Sequence, residues 1–161
     1  MTAATGVGSM PGEDTAAFDE AVKVVLGELP DLPHVPEVPG RGAHAGLAGR
    51  TLAVVAVLDA DLQPAGWRLT GSSGSPSIDH RRARSLLAQD LDTVEELAQE
   101  YQGRFKLQVT GPWTLAATVE RPRGDRVLAD RGARRELAEA LAEGLRAHVA
   151  DVRRRVPGAE L

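Results

Sequence analysis

The chain has 161 residues, a net charge of -4 and no cysteine. That length suits one folded unit, the charge offers no footprint for a polyanion, and the missing thiols exclude disulfides and thiolate metal sites within these residues. Nucleic acid is therefore not an expected partner.

Apolar residues make up 42% and charged residues 26%, which are globular proportions, while aromatics are only 3%. The core is thus expected to be built from Leu, Val and Ala. The opening MTAATGVGSM lacks the basic and apolar regions of a signal peptide. The longest apolar run, 52–58, is too short to span a bilayer. A cytoplasmic protein with no membrane partner is expected.

In chain order, residues 5–9 form a short strand ending in a Gly-rich turn. Asp14 or Thr15 caps a helix reaching about Leu29, with Phe18, Val22, Val25, Leu26 and Leu29 on one face. The stretch PDLPHVPEVPG over 30–40 is too rich in proline for a helix and reads as a constrained extended segment, with a short strand around 34–37. Residues 43–58 read as a buried Ala-rich helix, although 52–58 also suits a strand. Residues 66–70 read as a strand and 71–77 as a Gly/Ser/Pro loop.

A long helix is predicted over 78–101, with Leu86, Leu87, Leu91, Val94, Leu97, Ala98 and Tyr101 in its inner stripe. Its paired acids, Asp90 with Asp92 and Glu95 with Glu96, read as a solvated face. Residues 105–110 alternate like a strand and end at Gly111-Pro112, where a short helix over 113–119 begins. A last helix covers about 130–156 and stops at Pro157-Gly158. Strands separated by helices imply parallel pairing.

Three features fall where a strand gives way to a loop: Gly8-Ser9, Glu37 and Thr110-Gly111-Pro112. Small residues let backbone N–H groups approach a ligand closely, and a carboxylate beside them can hold an ammonium. Together they suit a small amino-acid-like ligand. Taken singly, each also reads as ordinary structure: a turn with a helix cap, a solvated loop charge, and a strand end followed by proline at the first helical position. The histidines, His34, His44, His80 and His148, show no metal-ligand spacing. No Ser-His-Asp order or phosphate loop is present. Gly6-x-Gly8 lacks the third glycine of a dinucleotide fingerprint.

Thr5-Gly6-Val7-Gly8-Ser9-Met10-Pro11 resembles the opening of the catalytic barrel of cobalamin-independent methionine synthases. Val109-Thr110-Gly111-Pro112-Trp113-Thr114-Leu115 resembles that family's Thr-Gly-Pro-x-Thr segment. Val35-Pro36-Glu37 and Gly66-Trp67 fall in the same order as a Gly-Glu and a Gly-Trp of the family, within the methionine synthase and uroporphyrinogen decarboxylase superfamily. The resemblance implies an α/β fold in which residues 1–161 are the N-terminal half of a (β/α)8 TIM-type barrel, with parallel strands and outer helices.

It also implies a zinc-dependent methyltransferase that moves a methyl group from methyltetrahydrofolate to homocysteine. In that reading Val7, Gly8 and Ser9 hold the amino-acid carboxylate, Glu37 holds its amine, and Gly111 and Trp113 line the neighbouring cleft. The family's zinc ligands, His, Cys, Glu and Cys, come from later strands and are not found among these residues, so no catalytic or metal-ligating residue is assigned. Half a barrel leaves an open edge, which implies self-association there or a longer native protein. The alternative is a catalytically inactive truncated homologue acting as a binding or interaction module.

Overall fold

The computed structural model describes residues 3–71 and 76–161. The loop expected over 71–77 therefore lies largely outside the described residues. Five α-helices are present: α1 Thr15–Glu28, α2 Leu47–Val54, α3 Ile78–Ala98, α4 Pro112–Thr118 and α5 Arg131–Arg155. Four strands make two small sheets. Strands β1 Asp59–Gln63 and β2 Gly66–Thr70 form an antiparallel hairpin, and β3 Gly103–Arg104 pairs in parallel with β4 Ala159–Glu160.

The helices follow from local chemistry. Asp14 caps α1 by accepting from the Ala17 N–H at 2.8 Å, and Asp130 caps α5 by accepting from Ala133 at 2.7 Å. Ser77 does the same for α3 through the His80 N–H at 3.0 Å. Pro112 opens α4, where its missing N–H is no loss. The inner stripes of α1, α3 and α5 meet α2 and α4 in a core containing Phe18, Leu52, Val55, Leu91, Leu115, Leu137 and Val152. Gly144 brings α5 onto the end of α2, since a Cβ there would lie 1.8 Å from the Val54 carbonyl oxygen.

The half barrel of parallel strands with outer helices is not what the chain forms; its regular sheets have two strands each, and one of them is an antiparallel hairpin. The physical reasons are local. Pro33 and Pro36 interrupt the segment expected to be the second strand and remove ladder donors. What remains is single parallel bridges, Ser9 to Glu37 and His34 to Lys106. The predicted strand over 105–110 is likewise reduced to the Lys106 bridge, with the two-residue β3 lying just before it. Residues 59–63, with Asp at two of five positions, carry weak strand propensity, yet they pair with 66–70 through a short turn. The helix expected over 43–58 is confined to α2. The argument for an open barrel edge falls with the half barrel.

A buried ionic cluster ties the helices together. Asp90 on α3 is 2% exposed and accepts from Arg41 Nη1 at 2.7 Å and Nη2 at 2.8 Å, and also from Arg50 on α2. Asp90 is therefore not on a solvated face. The Phe18 ring of α1 lies beneath both guanidiniums, 4.7 Å from Arg41 and 5.9 Å from Arg50.

Replacing Asp90 with Asn leaves two buried cations short of their counterion. Urea unfolding of D90N should show a loss of about 3–5 kcal/mol, the usual consequence of breaking a buried pair from one side. A loss below about 1 kcal/mol would show that solvent screens the cluster.

Candidate functional site

The segment around Ser9 lies beside the segment around Glu37 because their backbones exchange hydrogen bonds. The Glu37 N–H donates to the Gly8 carbonyl at 2.8 Å, and the Met10 N–H donates to the Glu37 carbonyl at 2.7 Å. On its other side the proline-rich segment meets the chain around Lys106, whose N–H donates to the Pro33 carbonyl at 2.8 Å. Counting forward from the parallel His34–Lys106 bridge, Glu37 is level with Val109. Ser9, Glu37 and the stretch leading to Gly111 thus leave this set of extended segments at the same end.

Gly8 is required by geometry. Its φ is +121°, a region L side chains avoid, and an added Cβ would lie 2.5 Å from Gln108 Nε2. Gln108 itself donates to the Val35 carbonyl at 2.6 Å, so its side chain bridges across to Gly8. Ser9 is exposed, and among the described residues neither its N–H nor that of Gly8 has a backbone acceptor. Val7 is 91% exposed beside them.

Glu37 is 9% exposed, and its carboxylate makes no ion pair or hydrogen bond with the described residues, although its oxygens are not among the buried polar atoms left without a partner. A carboxylate that keeps no protein cation is open to a charged or donor group from outside. Other buried acids here have theirs: Asp90 binds two arginines, and Glu120 accepts from Arg68 at 2.7 Å.

The remaining expected residues stand apart. Gly111 is the N-cap residue of α4, and the preceding Thr110 is buried and anchored to α2, its N–H donating to Thr51 Oγ1 at 2.9 Å. Trp113 is 69% exposed and stands against α5, its ring 5.4 Å from the Arg134 guanidinium. The structure therefore brings Gly8, Ser9 and Glu37 together, with Val7 at their side, and places Trp113 in a groove of its own.

Two polar groups that the sequence reading did not assign to the site lie next to it. His34 is 3% exposed, and both ring nitrogens are buried without a partner among the described residues. Gln108 Oε1 is in the same condition. Burial, followed by the nearby positive charge of Lys106, pushes the His34 imidazole down to about 4. Gly6 makes room for this ring, since a Cβ there would lie 2.8 Å from His34 Cε1. The sequence signal for this arrangement was the Gly-x-Gly spacing, which reads equally well as a simple turn.

A second His-acid pair is structural. His80 places Nδ1 2.6 Å from Asp59 and Nε2 2.9 Å from the Leu52 carbonyl, so neither nitrogen is left for a reacting proton. Burial raises the Asp59 carboxyl, but bonds from Ser77, His80 and Thr70 outweigh it and hold the group below its ordinary value. Among the described residues no three His, Asp or Glu side chains are grouped to hold a metal ion, and no helix is long and apolar enough to cross a membrane.

Compared with family models, curated proteins and solved structures, the chain finds no match, so the site is read from its own geometry.

The His34 environment has a consequence for pH. The unfolded chain takes up a proton near pH 6.5 while the folded chain resists until about pH 4. Stability from this group is complete above pH 6.5 and falls as pH drops toward 4, by up to about 3 kcal/mol. Urea midpoints measured across that window should decline less steeply in His34→Leu than in the unaltered protein. Parallel slopes would show that His34 is hydrated.

Proposed function

We propose that this chain carries the amino-acid-binding side of a zinc-dependent methyltransferase of the methionine synthase type, in which methyltetrahydrofolate methylates homocysteine. The observation that supports this best is Glu37: a largely buried residue whose carboxylate has no cation among the described residues, set beside the Gly8 and Ser9 amides. In this reading the ammonium of homocysteine pairs with Glu37, and the N–H groups of buried Gly8 and exposed Ser9, which have no backbone acceptor among the described residues, receive its carboxylate. Val7 flanks the same stretch. Gly111 and Trp113 belong to the neighbouring part of the cleft in this reading, with the donor entering from their side.

The residues of this chain do not fit a zinc ion. Cysteine is absent, and the described residues offer no grouped set of His, Asp and Glu ligands. The metal site thus belongs to residues other than these, and the role of this chain is to hold and orient the amino acid. Fixing the ammonium and carboxylate at adjacent points leaves the side-chain sulfur as the free end of the substrate, which is the positional contribution to catalysis. A homocysteine thiol kept reduced matches a cytoplasmic location.

A second reading, an inactive homologue serving as an interaction module, is favoured by one observation. Leu32, Phe105, Leu107, Leu145, Val149 and Leu161 line an open groove of about 620 Å³. Self-association through this face is the form that module would take, and sedimentation equilibrium of the folded chain would then show association that dilution reverses.

Calorimetric titration separates the two. L-methionine and L-homocysteine should bind the folded chain, and Glu37→Gln should weaken binding roughly 10- to 100-fold, the loss of a charge-assisted hydrogen bond. The des-amino analogue of methionine should lose affinity for the unaltered protein and be insensitive to the substitution. Absence of heat with either amino acid, from a chain shown to be folded, contradicts the amino-acid reading.

A further inference from the structure

A groove of about 270 Å³ lies between the start of α4 and the first turns of α5, lined by Pro112, Trp113, Arg131, Arg134, Arg135 and Ala138. Its composition is unusual for plain surface. Trp113 is 69% exposed, in a chain whose other tryptophan, Trp67, is 5% exposed. Large aromatic side chains left in water beside arginine are the common furniture of binding surfaces.

The fold accounts for the arginines only in part, although the Asp130 cap offsets some of their charge. Cations at the start of a helix oppose its dipole, and α5 has three of them in residues 131–135 with no acidic residue in its first turn. Arg134 is held in place: Nη1 donates to the Leu128 carbonyl at 2.8 Å while its guanidinium lies over the Trp113 ring at 5.4 Å. Arg135 shares an exposed bond with Glu139 at 2.8 Å, and Arg131 has no ion-pair partner among the described residues. Positive charge at a locally unfavourable place, next to an exposed indole, is what a sequence keeps when a ligand completes the arrangement.

We infer that this groove binds a small planar anion, an aromatic ring bearing a carboxylate or a phosphate. The ring stacks on Trp113, already bounded by the fixed Arg134, and the anionic group is taken by Arg131 and Arg135, whose planar donors suit both oxyanions. A groove of this volume accepts a single or fused ring and its charged substituent. α5 ends beside β4, which pairs with β3; its first turns therefore lie at the end of the molecule to which Ser9 and Glu37 run. The inference stands on Trp113 and the arginines and does not depend on amino-acid binding at Glu37.

Titration calorimetry of the complete chain with benzoate and with adenosine monophosphate, against benzamide and adenosine as neutral counterparts, tests it. At least one anion should bind saturably and at least tenfold more tightly than its neutral counterpart, with affinity falling as salt rises. Preference for benzoate identifies an aromatic carboxylate and preference for the nucleotide identifies a phosphate. Trp113→Ala and the double variant Arg131→Ala/Arg135→Ala, both on exposed side chains, should each reduce binding tenfold or more while leaving the thermal melt unchanged. Binding of neither anion, equal binding of anion and neutral counterpart, or affinity indifferent to both variants would overturn the inference.

Discussion

The buried Asp90 carboxylate is the point on which the arrangement turns. It sits on α3 and receives Arg41, which follows the proline-rich segment, and Arg50, which lies on α2. Phe18 of α1 closes the cluster from below. One carboxylate thereby fixes a loop and two helices against a third, with an aromatic face in place of solvent. Such a cluster contributes little net stability against an apolar substitute, but it does not tolerate the loss of one member. Its value is in specifying a single packing. Arg50 Nη2 remains buried without a partner, a sign that the cluster carries more positive than negative charge.

This constraint reaches the candidate site through the chain itself. Arg41 stands four residues beyond Glu37, and between them Val38 is fully buried. Upstream, Pro33 and Val35 are tied to the chain around Lys106 and Gln108. The proline-rich segment is thus held at both ends, with its few N–H groups spent on bridges to its neighbours. Glu37 is left with its backbone fixed beside Gly8 and Ser9 and its carboxylate uncommitted. A rigid support carrying a charged group with no protein partner among the described residues is a physically sensible way to prepare a small binding site, since little ordering remains to be done when the ligand arrives.

The helices were readable from the sequence because their signals are local. Asp14, Ser77 and Asp130 mark helix starts, and the apolar stripes of α1, α3 and α5 repeat at the helical period. Gly8, Ser9 and Glu37 could be singled out because small residues and a carboxylate near strand ends have a stated chemical use. The rest depended on partners far away in sequence. Asp90 beside Asp92 looks like a solvated helix face until Arg41 and Arg50 arrive from 49 and 40 residues away. The sequence over 105–110 alternates like a strand, but Pro33 and Pro36 deny it a regular neighbour. The hairpin half over 59–63 was concealed by its aspartates, one of which, Asp59, is engaged by Ser77, Thr70 and His80. The parallel barrel half rested on a resemblance and on the order of elements; neither shows that a ladder of donors exists.

The account is tested most directly by following backbone amide resonances of the isotopically labelled chain during titration with L-methionine. It predicts saturable shifts concentrated at Gly8, Ser9 and Glu37, with the amides of α3 and α5 far from them unmoved. Shifts centred elsewhere, or a folded spectrum that does not respond at all, would contradict the placement of an amino-acid site at these residues.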